Sequence, residues 1–219
     1  MSAEQIAKHV HAADLDVLYD LGGWMDAVAL QALSVKPARK MFKWVGGQSV
    51  TTGLKVFDGW IGDDWQSPIR YQSLYSEPLI NIPEGYCGYT PPDYLPTKAI
   101  NKSRVPCIFA NPAKVSRAFL KELQKIRGTK VFIHHQYRFA QVQERITAIL
   151  GKDAQFVAPS SHQEALQALN SHATMIDTFP YSSGLTAREA LAMGTKVKVL
   201  HVGHLFCERH TAKLAKDAR

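Results

Sequence analysis

The second half of the chain repeats one pattern: a short apolar run, a polar or small-residue break, then apolar positions three and four apart. Residues 105–110 form the first run and end at Asn111-Pro112, a pair suited to an N-cap followed by a first helical position. Val115, Phe119, Leu123 and Ile126 follow at helical spacing, and Gly128 closes the stretch. The same reading predicts strands at 130–134, 154–158, 173–177 and 196–201. It predicts helices at 139–150, 162–169 and 184–193, with Gly151 and Gly194 as stops. Strands alternating with helices of this length predict an α/β fold with a parallel sheet.

The first half is less regular. Helices are expected at 6–12 and 25–33, and strands at 16–21, 40–45, 56–61 and 78–82. Residues 83–97 are rich in Pro, Gly and Tyr and read as loop or linker. The pattern divides the chain into two regions: 1–97, a less regular α/β region, and 98–219, a Rossmann-like domain of alternating strands and helices.

Composition narrows the class. In 219 residues, 46% hydrophobic and 21% charged residues mark an ordered globular chain. No apolar run approaches the ~20 residues of a spanning helix, and the first residues lack a secretory pattern, so a cytoplasmic protein is expected. Cys87, Cys107 and Cys207 form no CxxC pair, so reduced thiols are expected and no metal site. The net charge of +7 suits an anionic partner. The Lys and Arg are spread along the chain rather than blocked, which favours a phosphate-bearing small molecule over nucleic acid.

In an open parallel sheet, ligands sit beyond the carboxyl ends of the strands. Three predicted loops there carry useful chemistry. In the run from Asp177 to Glu189, Ser182, Ser183 and Gly184 precede a helix start, where amide N–H groups and the helix dipole hold anions. Glu189, just over one turn later, suits ribose hydroxyls, although either serine equally suits a simple N-cap. In the second loop Lys114 is expected in the first turn of its helix, where a cation is unfavourable unless an anion is near; a surface lysine is the plainer reading. The third, Pro159-Ser160-Ser161-His162, offers hydroxyls and an imidazole. His134-His135 ends a strand, so at most one of the pair is expected to face the site; His201 and His204 lie near the end of the last strand without metal-ligand spacing, and Trp24, Trp44, Trp60 and Trp65 read as packing residues. There is no GxGxxG and no GxxxxGK[ST].

The run DTFPYSSGLTAREALAMGT (177–195) resembles the nucleotide-sugar loop of the O-GlcNAc transferase family, SPINDLY-like and bacterial relatives included. CIFANPAK (107–114) and FVAPSSH (156–162) resemble two more of its donor-site segments. DVLYDLGGW, KPARKMFKWVGGQSVTTGL, DGWIGDDWQSP and LYSEPLINIP resemble the end of its amino-terminal domain, in the same order. Gly184, Leu185 and Thr186 stand where the family usually has a histidine and paired threonines. Glu189 stands for an aspartate, Asn111 for a glutamine, and His162 lies near a missing lysine.

The resemblance implies a GT-B-like fold, with 1–97 a partial acceptor-side Rossmann-like region and 98–219 a near-complete Rossmann-like nucleotide-sugar-binding domain. It implies an inverting transfer of GlcNAc or a hexose from a UDP-sugar to a protein Ser/Thr or similar acceptor, without a cofactor or metal. It implies UDP-sugar contacts at Asn111, Lys114, Ser161, His162, Ser182, Ser183, Gly184, Leu185, Thr186 and Glu189. Lys114 and the amides at 183–186 would stabilise the leaving diphosphate. No general base is assigned; Asp63, Asp64 and His11 are present without a tie to the acceptor. The chain reads as truncated at both ends relative to the family. It is therefore expected to be a fragment, a short relative, or a subunit whose partner supplies the missing region, with a non-catalytic nucleotide-sugar-binding role as the alternative.

Overall fold

A computed structural model describes residues 1–44 and 50–217. The chain divides into two compact units, Met1–Gly88 with His204–Cys207, and Tyr89–Gly203 with Glu208–Arg219. The division falls inside the Pro-, Gly- and Tyr-rich segment, ahead of the boundary expected at 97/98.

In the first unit, helix α1 (Ala3–Ala12) opens with a capping box in which Ser2 Oγ accepts the Gln5 N–H and Gln5 returns the bond. Strand β1 (Val17–Asp20), helix α2 (Ala27–Leu33) and strands β2 (Lys40–Trp44), β3 (Gly59–Gly62) and β4 (Leu79–Asn81) follow. The strands form a parallel sheet in chain order, β1-β2-β3-β4. The expected end of β2, Val45, lies outside the described residues, as does the 45–49 part of the matching motif. Leu30, Leu33, Met41 and Phe57 pack on one side, and Trp60, Tyr75, Tyr86 and Phe206 form a second cluster. Trp60 is a core residue, whereas Trp24 is exposed and donates its indole N–H to the Thr51 carbonyl.

The second unit alternates β5 (Cys107–Phe109), α3 (Arg117–Gln124), β6 (Lys130–Ile133), α4 (Ala140–Leu150), β7 (Ala154–Val157), α5 (His162–Asn170), β8 (Thr174–Ile176), α6 (Leu185–Ala192) and β9 (Lys196–Lys198), then α7 (Ala212–Asp217). All five strands are parallel in the order β7-β6-β5-β8-β9. The chain steps outward one way through β6 and β7, returns past its start, and continues through β8 and β9. Crossovers of a single hand then put the earlier helices on one face and the later ones on the other.

The core shows this split. Ile108 and Phe132 pack with Phe119, Leu120 and Leu123 of α3 and Ile146 and Leu150 of α4. Their strand neighbours Cys107, Phe109, Val131 and Ile133 pack with Leu166 and Leu169 of α5 and Ala187 and Ala190 of α6. Alternate side chains of fully buried strands thus serve opposite faces, which explains why these strands read as unbroken apolar runs.

Strand β9 ends at Lys198, short of the expected 201. Two strand lysines are buried, each 1% exposed: Lys43 Nζ donates to the Asp20 carbonyl at 2.9 Å, and Lys130 Nζ to the Ile126 carbonyl. Among the described residues no helix is long and apolar enough to cross a membrane.

Candidate functional site

Strand order reverses between β5 and β8, so the loops that leave these two strands diverge and open a crevice at their carboxyl ends. A cavity of about 450 Å³ lies there, within the range of small-molecule sites. Its wall includes Asn111 and Lys114 after β5, His134 and His135 after β6, Ser160, Ser161 and His162 after β7, and Leu185, Thr186 and Glu189 of α6.

The β5 loop departs from expectation. Lys114 is not in the first turn of α3. It ends a 3-10 turn, Pro112–Lys114, in which Asn111 Oδ1 accepts the Ala113 N–H at 2.9 Å. The α-helix begins only at Arg117, because Ser116 is the cap: its Oγ accepts the Phe119 N–H at 3.0 Å and donates to the Phe179 carbonyl. Arg145 of α4 fixes the turn by donating to the carbonyls of Pro112 and Val115. Lys114 is thereby directed at the β8 loop. Its Nζ donates to the Ser182 carbonyl at 3.1 Å and lies 4.4 Å from the centre of the Tyr181 ring.

The β8 loop also differs in detail. Ser182 and Ser183 are buried and neither is the N-cap of α6. The cap is Gly184, at φ +66° and ψ −108°, a conformation open to glycine but not to a residue with a Cβ, and it supplies no side-chain acceptor. The N–H groups of Ser183 and Gly184, expected at the anion, are occupied. Ser183 donates to Asp177 Oδ1 at 2.8 Å and to Thr211 Oγ1 at 3.1 Å, and Gly184 to Thr211 Oγ1 at 3.3 Å. Only the next two amides, Leu185 and Thr186, have no acceptor among the described residues. The amides at this helix start that are open to an acceptor are therefore those of Leu185 and Thr186. Burial pushes the Asp177 carboxyl up to about 6, and its Oδ2 is buried without a partner among the described residues.

Glu189 lies on the inward face of α6 and is 2% exposed. Its Oε1 is 3.0 Å from His162 Nε2, while Oε2 is buried without a partner among the described residues. Burial raises its carboxyl above the usual range, against the opposing pull of His162. Ser161 caps α5 by accepting the Glu164 N–H, and Ser160 Oγ donates to Glu164 Oε2.

The structure therefore brings Asn111, Lys114, Ser161, His162, Leu185, Thr186 and Glu189 to one cavity. Ser182, Ser183 and Gly184 stand behind it as supports. Sequence reasoning missed Tyr94, Asp177, His210 and Thr211. Asp177 was visible as the first polar position after the β8 run; the others carry no local signal. It also gave His134 and His135 little weight, yet their rings stack 4.1 Å apart at the cavity wall, and burial with the neighbouring His135 pushes the His134 imidazole down to about 4. His201 packs on Phe179, whereas His204 belongs to the first unit and bonds Tyr71. In the first unit Asp63 Oδ1 accepts the N–H groups of Trp65 and Gln66, Asp64 accepts from Asn81, and His11 is exposed on α1. No three His, Cys, Asp or Glu side chains among the described residues are grouped to hold a metal.

No protein-family model matches the chain. Among curated proteins it is 25% identical over 208 residues to the tomato (Solanum lycopersicum) SPINDLY protein, described as a probable UDP-N-acetylglucosamine–peptide N-acetylglucosaminyltransferase. That match takes in 87% of this chain and 22% of the relative. The SEC protein of Arabidopsis thaliana, of the same description, is 29% identical over 86 residues, 39% of this chain and 9% of the relative. The chain thus spans about a fifth or less of these relatives.

Among solved structures, a point mutant of the Thermobaculum terrenum O-GlcNAc transferase superposes with a TM-score of 0.86 at 24% identity, over 99% of this chain and 44% of that one. Sucrose-phosphate synthase from Thermosynechococcus elongatus follows at 0.55 and 17%, over 90% and 60%. The fold is GT-B-like, and the family likeness is to the O-GlcNAc transferases and SPINDLY proteins.

Proposed function

We propose that the cavity binds a UDP-sugar and that the protein is an inverting glycosyltransferase, moving GlcNAc or a hexose to a protein Ser or Thr hydroxyl. The observation that carries this reading is the convergence, at one crevice, of a cation (Lys114), two unsatisfied amides (Leu185 and Thr186) and a buried carboxylate oxygen (Glu189 Oε2). These suit a diphosphate beside a ribose. The relatives' description as peptide N-acetylglucosaminyltransferases supports the donor and acceptor classes.

In this mechanism the acceptor hydroxyl oxygen attacks the anomeric carbon from the face opposite the diphosphate and gives up its proton to water. The bond from that carbon to the diphosphate oxygen breaks, and UDP leaves. Lys114 and the amides of Leu185 and Thr186 offset the charge that grows on the leaving oxygen. Since protein groups meet that charge, turnover is expected to persist in EDTA. Titration calorimetry with UDP tests the reading: saturable binding is expected, and no binding at millimolar concentration by folded protein would overturn it.

A second reading rests on Asp63 and Asp64, which are tied to local donors, so no base for the acceptor proton is assigned. The chain would then be a nucleotide-sugar-binding subunit or pseudoenzyme. UDP binding with no UDP release from UDP-GlcNAc in the presence of peptide acceptors selects it.

A further inference from the structure

The segment at 83–97 reads as connecting chain, yet its Tyr94 meets His162 of the cavity wall. Tyr94 Oη lies 3.0 Å from His162 Nδ1, and the two rings meet edge to face with centroids 5.8 Å apart. His162 Nε2 lies 3.0 Å from Glu189 Oε1. In the neutral imidazole that keeps its Nε2–H toward the carboxylate, Nδ1 accepts the Tyr94 hydroxyl proton, so one ring is held from both ends. Glu189 is thus fixed through one oxygen, and the other, Oε2, is left buried and unpaired at a cavity-lining residue. A buried carboxylate oxygen without a donor costs free energy that a ligand hydroxyl can recover. The Tyr89 hydroxyl is also buried without a partner among the described residues and lies within the electrostatic reach of Glu189 and Tyr94.

We propose that Tyr94 and His162 are positioning residues that aim Glu189 Oε2 at the ribose hydroxyls of the nucleotide, making Tyr94 part of the support of the ligand site. The proposal rests on the UDP-sugar reading and adds to it the source of discrimination for the ribose. His162 orients the carboxylate, and Tyr94 selects the ring orientation and tautomer that keep Nε2–H on Glu189. Neither residue needs to touch the nucleotide to act in this way.

The test compares UDP with 2′,3′-dideoxy-UDP by titration calorimetry in the full chain. The wild type is expected to prefer UDP by about tenfold, the size of one hydrogen bond to a charged group. In His162→Ala the ratio is expected to fall to about threefold or less, with UDP weakened more than dideoxy-UDP. His162→Gln, whose amide N–H can face Glu189, should restore part of the ratio. Tyr94→Phe, the mildest change, should lower it in the same direction. A merely structural role would weaken both nucleotides alike. Equal weakening, or a wild-type ratio in Tyr94→Phe and His162→Ala alongside intact UDP binding, overturns the positioning role and leaves the UDP reading standing. A folded wild type that binds no UDP overturns both.

Discussion

Lys114 Nζ donates to the carbonyl oxygen of Ser182 at 3.1 Å, joining the loop that leaves β5 to the loop that leaves β8 across the point where strand order reverses. This single contact places the cation beside the helix start that carries the unsatisfied amides. Lys114→Met keeps much of the stem packing over Tyr181 and removes the charge. UDP affinity and turnover are expected to fall by one to two decades, in line with charge-assisted bonds worth about 1.5–3 kcal/mol. Uridine, which lacks the diphosphate, is expected to bind Lys114→Met and wild type equally; calorimetry with both ligands separates the two effects.

Two buried groups near this contact titrate in opposite senses. Burial holds the Asp177 carboxyl at about 6, above its value in an unfolded chain, so the folded state takes up the proton first. Its contribution to stability is full below about pH 4 and is lost as pH rises toward 6, by at most ~3 kcal/mol. Burial, with Lys114 nearby, pushes the His210 imidazole down to about 3, so its contribution is present above about pH 6.5 and is lost as pH falls. Relative to Asp177→Asn, the wild type should therefore lose stability between pH 4 and 6. Relative to His210→Phe, it should gain stability over the same interval. Urea unfolding at half-unit pH steps reads both difference curves.

Gly184→Ala tests the backbone at the start of α6. At φ +66° and ψ −108° an added Cβ is strained whatever the space, and it meets nothing closer than the His210 side chain at 3.8 Å. A stability loss of roughly 1–3 kcal/mol is expected from backbone strain alone. UDP affinity should fall as well, because the amides of Leu185 and Thr186 move with the cap. Denaturant midpoints and calorimetry on the same sample check the pair of effects.

The thiols should sort by environment. Cys107 is fully buried, and burial pushes its thiol up to about 12, while Cys207 is buried and Cys87 only half-buried. Thiolate is the reactive form. A chromogenic disulfide reagent should label Cys87 in the native protein and reach Cys107 and Cys207 only after unfolding. Mass mapping that finds Cys107 labelled first would contradict the packing of β5.

Much of the second unit was legible in the sequence because its signals are local. Fully buried strands leave short apolar runs, and Gly128, Gly151 and Gly194 all take positive φ near the ends of their helices. The site loops were legible for the same reason, since a parallel sheet presents them on one edge. Asn111-Pro112 does cap a helical turn, but a 3-10 turn that ends at Lys114; Ser116 makes the cap of α3, and Arg145, far along the chain, holds the turn. Tyr94, Thr211 and His210 could not be read. Each reaches its partner only through the tertiary fold, and nothing in its neighbours marks it.

The bonds from Ser183 and Gly184 to Asp177 and Thr211 have a kinetic consequence. The β8 loop is already held in place by its own chain, so an incoming nucleotide meets a finished surface and has no segment to order. Capture should be a single bimolecular event, with a stopped-flow rate that climbs linearly with nucleotide concentration and never saturates. Thr211→Ala, which removes two of those bonds and leaves only Asp177 holding the Ser183 amide, is where a slower, concentration-independent phase should emerge.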